Sequence, residues 1–555
     1  MRNIKLHHII HATCWLMLGL AQQTPASAWH APLCQPQNMG SSVIQEDDTR
    51  WGDLGDGTYA NPVLNGDYSD PDVIRVNDKY YMICSEFHFM GMPVLESVDM
   101  VNWKIIGQIF SRIDMKGYST MEKYGDGSWA PSLRYHKGKF WMYVCTPNEG
   151  LFMSTAVKPE GPWEPLVCVK SVNGWEDPCP FWDEDGQGYI GRSQLGGGPI
   201  FIHKMSADGK TLLDDGVKVY EGPTAEGTKI FKKDGFYYLS IPEGGVSTGW
   251  QTVMRSKNIY GPYEAKRVLE MGCTNVNGPH QGALVDTPDG EWWFFHFQST
   301  EPQGRVVHLQ PARWVNGFPE IGEDYDGNGI GEPVKVHAKP TVKKRDKIHA
   351  PQADDSFDGK KLGIQWQFNH NPDDNKFSLT DKKGWLCIIP QMAEKLRMAK
   401  NQLTQKTMGY RGIATVKIDF SHLSEGGRMG VECIGNKFAG AGIMISAENG
   451  TSVPYLYCET DGTVTKKTAL PSIKKQMMYI RLEIDALHNK HQFYYSTDGK
   501  EFISLGESFE SGSGDWKGSR IGLYAYTTGE PGGHAYFDAF TYHFDGPGKT
   551  GQRTR

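Results

Sequence analysis

From residue 67 the chain repeats a two-part pattern. A short acidic opening carrying proline or glycine leads into about five strand-like residues, then a tight turn, then a second run rich in aromatic and β-branched side chains. "DPDVIRVNDKYYMI" begins it at Asp70, with the turn at Asn77-Asp78. "WAPSLRYHKGKFWMYVC" follows from Trp129, "EDPCPFWDEDGQGYIGR" from Glu176, "AEGTKIFKKDGFYYLSI" from Ala225 and "PHQGALVDTPDGEWWFFHF" from Pro279. The turns have the chemistry that hairpins need: His136-Lys137-Gly138, Asp183 to Gly186, Lys233-Asp234-Gly235 and Pro288-Asp289-Gly290. With Pro71, Pro131, Pro178, Gly227 and Gly282 as equivalent positions, the units lie 47 to 60 residues apart, which leaves room for two more strands in each. Four-stranded units repeated radially make a β-propeller, and five units predict five blades over residues 50–345.

Beyond about residue 335 the texture changes. "KVHAKPTVKKRDKIHAPQADD" is basic and polar and reads as a linking strap. After it come alternating segments such as "IATVKIDF", "YIRLEID" and "RIGLYAY", whose period of two predicts a second all-β domain, a sandwich over 350–547, with a polar tail at 548–555. A length of 555 residues also exceeds one ordinary core and favours two domains. Aromatics at 12% and 65 glycines suit an all-β chain with many turns, and flat rings suit the apolar faces of sugars.

Charge narrows the partners. A net charge of −7 without an extended basic run disfavours nucleic acid and anionic membrane surfaces. No later stretch is apolar for long enough to span a bilayer. Residues 1–28 read as a signal peptide: Arg2 and Lys5, then the apolar "IIHATCWLMLGLA", then Ala26-Ser27-Ala28 as a cleavage site. Export to the periplasm or the medium is expected. Cysteines are scattered and lack a CxxC pair, so zinc and redox motifs are unsupported.

The repeat brings acids together. Residues opening the first strand of each unit should ring one end of the channel, and they are Asp70, Ala130, Asp177, Glu226 and His280 or Gln281. Three carboxylates on one rim are costly, because like charges and burial both raise pKa values, and sites with that cost tend to be functional. Paired carboxylates of this kind hydrolyse glycosides, with one acid protonating the leaving oxygen while the other activates water. Glu243 in "IPEGGV" is a rival on the same rim. In "EDYDGNGIGEP", Asp324, Asp326, Asn328 and Gly329 match the first half of an EF-hand-type loop, but Lys335 stands where the bidentate glutamate belongs. That stretch is expected to be a glycine-rich surface loop.

The quoted blade motifs, in order, resemble glycoside hydrolase family 43, and "DDSFDGKKLGIQWQFNHNPDDNKFSL" resembles the concanavalin A-like C-terminal domain of its β-xylosidase-type members. The resemblance covers nearly the whole mature chain. It implies a five-bladed β-propeller followed by a jelly-roll β-sandwich, and an inverting mechanism. Asp70 would be the general base, Glu226 the general acid, and Asp177 the residue that tunes and orients the acid. Trp129, Phe89 and Arg305 would contact the sugar, and His280 would lie near a central calcium or water site. The family often has its acid in Glu-Gly-Pro. Here Glu226-Gly227-Thr228 stands at the right spacing, and Glu221-Gly222-Pro223 just upstream is a decoy. The expected activity is exo-acting release of a terminal pentose from plant cell-wall oligosaccharide or polysaccharide, β-D-xylose first and α-L-arabinofuranose second. No cofactor is required, and a structural calcium is allowed. The alternative of another class is a non-catalytic carbohydrate-binding protein.

Overall fold

The computed structural model describes residues 49–470, 476–514 and 516–548. The expected signal peptide and all but the first residue of the polar tail lie outside them. Five antiparallel sheets of four strands follow one another in chain order. Blade one runs from Asp72–Val76 to Lys104–Gln108, blade two from Trp129–His136 to Val167–Ser171, and blade three from Trp175–Trp182 to Val217–Tyr220. Blade four runs from Lys229–Lys233 to Glu264–Leu269, and blade five from His280–Asp286 to Phe318–Ile321. The hairpin turns explain the local registers. Lys137 and Gly138 have φ of 49° and 78°, and Asp234 and Gly235 have 49° and 71°, the paired positive values whose twist matches that of flanking strands.

Apolar side chains seal each blade to the next. Tyr81, Val94, Leu133 and Met142 pack between blades one and two, and Tyr143, Met153, Ile190 and Met205 between two and three. Ile200, Ile202, Leu239 and Met254 fill the gap between three and four, and Tyr238, Val268, Phe294 and Ile321 that between four and five. Val73, Met82, Trp103, Val285 and Phe295 close five onto one. At that seam Arg75 pairs with Asp286 at 2.7 Å. A separate three-stranded sheet of Gly52–Asp53, Thr58–Ala60 and Val336–Ala338 joins the two ends of the ring. The strap predicted after residue 335 therefore starts as a strand, and Lys339 anchors it to buried Asp53 at 2.8 Å.

The entries to the five inner strands share one backbone feature. Asp70, Ala130, Asp177 and Gln281 have φ of 53°, 37°, 56° and 41°, and Gly227 has 60°. Left-handed backbone is rare for residues with a Cβ, so its recurrence marks the true repeat position. This corrects the predicted alignment by one residue in blade four: Gly227, not Glu226, is the equivalent of Asp70 and Asp177. Where the strand already pairs at this point, the register slips, between Trp129 and Ser132, between Glu176 and Cys179, and between His280 and Gly282. Consecutive strand residues normally face opposite ways, and a bulge re-aims them. Glutamates one place before the ring position can thereby join carboxylates at it.

The second domain stacks an eight-stranded sheet on a seven-stranded one. Its strands alternate as the sequence predicts: in Met477–Asp485 every second residue is buried. Ala414, Val416 and Ile418 from one sheet meet Met429, Val431 and Leu523 from the other. It clasps blade one through a buried ionic group, with Glu86 accepting from Lys406 at 2.9 Å and from Arg520 at 2.7 Å. Seven described cysteines are free thiols, six of them buried, and Cys273 is disulfide-bonded.

Candidate active site

Asp70 is buried, and both of its oxygens are held. Oδ1 accepts from the Arg305 guanidinium at 2.7 Å, and Oδ2 accepts from the hydroxyls of Ser69 at 2.9 Å and Ser85 at 2.5 Å. Ser85 in turn accepts from the backbone N–H of Ala130 at 2.6 Å, which ties the ring position of blade two to that of blade one. Arg305 is fixed as well. Its own N–H donates to Asp67 at 3.0 Å, and its guanidinium lies 4.6 Å from the Phe297 ring centre.

Asp177 accepts from three sides: Ser193 at 3.0 Å, the backbone N–H of Gly227 at 2.6 Å and Gln281 Nε2 at 3.1 Å. Burial and the neighbouring Glu226 outweigh these donors and raise its pKa to about 6. Glu176, one residue earlier, accepts from the Gly197 N–H at 3.1 Å. Burial, then Asp177 and Glu226, push its pKa up to about 9, so it carries a proton at neutral pH. Glu176, Asp177 and Glu226 each bring a carboxylate oxygen within 4.8 Å of the others. Glu226 is the more accessible member, with 16% of its side chain exposed. Its Oε1 is hydrogen-bonded to His280 Nε2 at 2.7 Å.

An aromatic wall stands beside these acids. Trp129 is half-buried, its indole donating to the Gly125 carbonyl at 2.8 Å. Phe87 meets it edge-on at 6.0 Å, and Trp516 of the second domain at 6.4 Å. Trp516 is 58% exposed and lies 5.8 Å from the Arg305 guanidinium. The structure thus brings Asp70, Asp177, Glu226, Trp129, Arg305 and His280 into one neighbourhood. Phe89 is different. It is 1% exposed and lies 3.6 Å beneath the Arg520 guanidinium in the contact with the second domain. The next-but-one aromatic, Phe87, faces Trp129 instead.

The rivals are spoken for. Glu243 accepts from Tyr220 at 2.9 Å on one oxygen and from Thr252 at 2.5 Å on the other. Glu221 is exposed and pairs with Lys218 at 2.9 Å. His280 engages Glu226 and joins none of the described groups of three potential metal ligands. Sequence reasoning missed Glu176, Ser85 and Trp516, and of the two residues it offered for the blade-five opening, Gln281 takes the ring position. Glu176 had a signal, since it adjoins Asp177 in "WEDP". Trp516 had none, because it comes from a distant loop of the other domain.

Residues 59–319 match the model of glycosyl hydrolases family 43, and residues 354–543 match that of the β-xylosidase C-terminal concanavalin A-like domain. A Xylanibacter ruminicola protein with a provisional β-xylosidase name is 53% identical over 89% of this chain and 93% of its own. A β-xylosidase of Formosa agariphila is 37% identical over 90% of this chain and 92% of its own. A non-reducing-end α-L-arabinofuranosidase of Bacteroides ovatus is 32% identical over 60% of this chain and 65% of its own. The crystal structure of a family 43 protein of Bacillus licheniformis superposes with a TM-score of 0.76 at 26% identity, over 87% of this chain and 99% of that one.

Proposed function

Since this chain belongs to glycosyl hydrolase family 43 and is a glycosidase, we propose that it removes terminal β-D-xylose from the ends of plant cell-wall oligosaccharides with inversion. The carrying observation is the convergence of Asp70, Asp177 and Glu226 from three different blades. Asp70 serves as general base. Among the described residues its hydrogen-bond partners are all donors, and Arg305 and Ser85 fix the direction of its oxygens toward water at the anomeric carbon. Glu226 is the general acid: it is the accessible carboxyl of its group, and its other contact, a hydrogen bond to His280, holds it in place. In one step water loses a proton to Asp70 and attacks the anomeric carbon, the glycosidic bond breaks, and Glu226 protonates the departing oxygen. Asp177 positions that acid through the Gly227 N–H and adds negative charge beside it. Trp129, Phe87 and Trp516 offer ring faces to the sugar. No step calls for a metal or an organic cofactor. The leader-like N-terminus supports action outside the cytoplasm.

The second reading is α-L-arabinofuranosidase activity, favoured by the Bacteroides ovatus relative. Nitrophenyl β-D-xyloside and α-L-arabinofuranoside distinguish the two by kcat/KM, and NMR of the first-formed anomer tests inversion. Binding of both glycosides without release of nitrophenol would instead support a carbohydrate-binding protein.

A further inference from the structure

We propose that residues 324–332 form a calcium site that fastens blade four to blade five. The segment leaves the outer strand of blade five, and Glu323 and Glu332 then pair across it, N–H to carbonyl at 3.0 and 2.7 Å. Nine residues are thus folded back on themselves. Asp324 accepts the N–H groups of Asn328 at 3.0 Å and Gly329 at 2.9 Å; Asp326 accepts Asn328 at 3.0 Å; Asn328 accepts Ile330 at 2.7 Å. Gly327 and Gly329, with φ of 74° and 84°, make the tight curl that these bonds need. Oxygen-bearing side chains therefore recur at the first, third and fifth places, with the Ile330 carbonyl at the seventh. Calcium loops use that order, because the ion takes six to eight oxygens in flexible geometry.

Such a curl is common without an ion, and Glu332 is what distinguishes this one. It stands at the ninth place, where it can close a shorter loop than the twelve-residue version whose closing glutamate Lys335 replaces. Its side chain is 0% exposed. Oε2 accepts the Cys273 N–H at 2.6 Å, while Oε1 is buried and, among the described residues, has no hydrogen-bond partner. A carboxylate oxygen of Glu332 lies within 4.8 Å of one from Asp326. An unsatisfied buried carboxylate oxygen is expensive, and a divalent cation between Glu332 and Asp326 removes that cost. The loop lies at the surface as the sequence leads one to expect, and in the proposed site Glu332 takes the closing place that Lys335 cannot fill.

The position gives the ion its role. The carbonyl of Gly331 accepts the N–H of Glu270, at the end of blade four's outer strand, at 2.9 Å. Asn328 donates to the Glu270 carboxylate at 3.0 Å. Ordering the loop therefore orders the outer junction of the last two blades.

The full chain, stripped with chelator, is titrated with calcium chloride while thermal unfolding is followed, and separately with terbium, whose luminescence Tyr325 inside the loop can sensitise. Expected are a rise in Tm of several degrees, terbium emission that calcium quenches, and loss of both in Asp324→Asn and in Glu332→Gln. Asp324 is exposed, so its variant keeps the test valid if the buried change impairs folding. Absence of both signals in the unmodified chain overturns the proposal. So does a calcium-dependent rise that survives in Asp324→Asn, which would place the ion elsewhere.

Discussion

The backbone N–H of Gly227 donates to Oδ2 of Asp177 across 2.6 Å, from blade four to blade three. One atom thus joins the left-handed entries of two neighbouring blades, and the residue immediately before that N–H is Glu226. Placing the acid is therefore a backbone matter, governed by a side chain from another sheet.

Asp177→Asn should lower kcat by about 10²-fold, the scale set by small misplacements of a reacting group. KM for nitrophenyl xyloside should change little. Loss of a negative charge beside Glu226 should move the alkaline limb of the pH–rate profile toward acid. An unmoved limb with a normal kcat would remove Asp177 from the mechanism.

Replacing the acid and the base should leave different signatures. Glu226→Ala should depress hydrolysis of natural xylo-oligosaccharides by about 10²–10⁴-fold, while aryl glycosides with good leaving groups lose much less, since they need little protonation. Asp70→Ala should slow every substrate alike. A leaving-group dependence in the Asp70 variant, and none in the Glu226 variant, would reverse the assignments.

Glu176 links the site to stability. Its pKa is raised from 4.5 to about 9, chiefly by burial. A raised carboxyl helps the fold only while protonated, so its contribution is full below about pH 4.5 and disappears as pH climbs through about 9. Asp177 has the same sign between 3.8 and about 6. Tm should therefore fall with rising pH across that range, and Glu176→Gln should flatten the fall. Parallel curves for the two proteins would show that Glu176 plays no such part.

Glu86 holds the buried ionic group in the contact between domains. Burial pushes its carboxyl up, but Lys406 and Arg520 outweigh burial and hold it below the usual range. Removing one partner of a buried ionic group leaves the others uncompensated, at about 3–5 kcal/mol. Glu86→Ala should shift the urea midpoint accordingly and release Phe89 from beneath Arg520. A loss under about 1 kcal/mol, the scale of a surface pair, would mean that the group is solvated.

The architecture was legible because each blade writes the same opening, turn and aromatic strand, and the sandwich writes a period of two. The three acids were legible for the same reason. The alignment of blade four was not, since only the backbone shows that Gly227 holds the left-handed place, with Glu226 one residue before it. Phe87 and Phe89 share a face of an irregular segment, and composition cannot tell which one lies under Arg520. Trp516 reaches the site through tertiary contact alone.

Of the five ring positions, Ala130 and Gly227 carry no functional group, and Ala130 keeps the left-handed backbone with a Cβ in place, with φ of 37°. Its N–H already serves Ser85 and, through it, Asp70. The channel mouth is therefore a row of five equivalent seats of which two are vacant of chemistry; a Cβ at Gly227 would meet Pro242 at 2.5 Å, so only Ala130 is free to change. A change of residue there could add a substrate contact while every blade core stays as it is, so new specificity can be acquired at that seat.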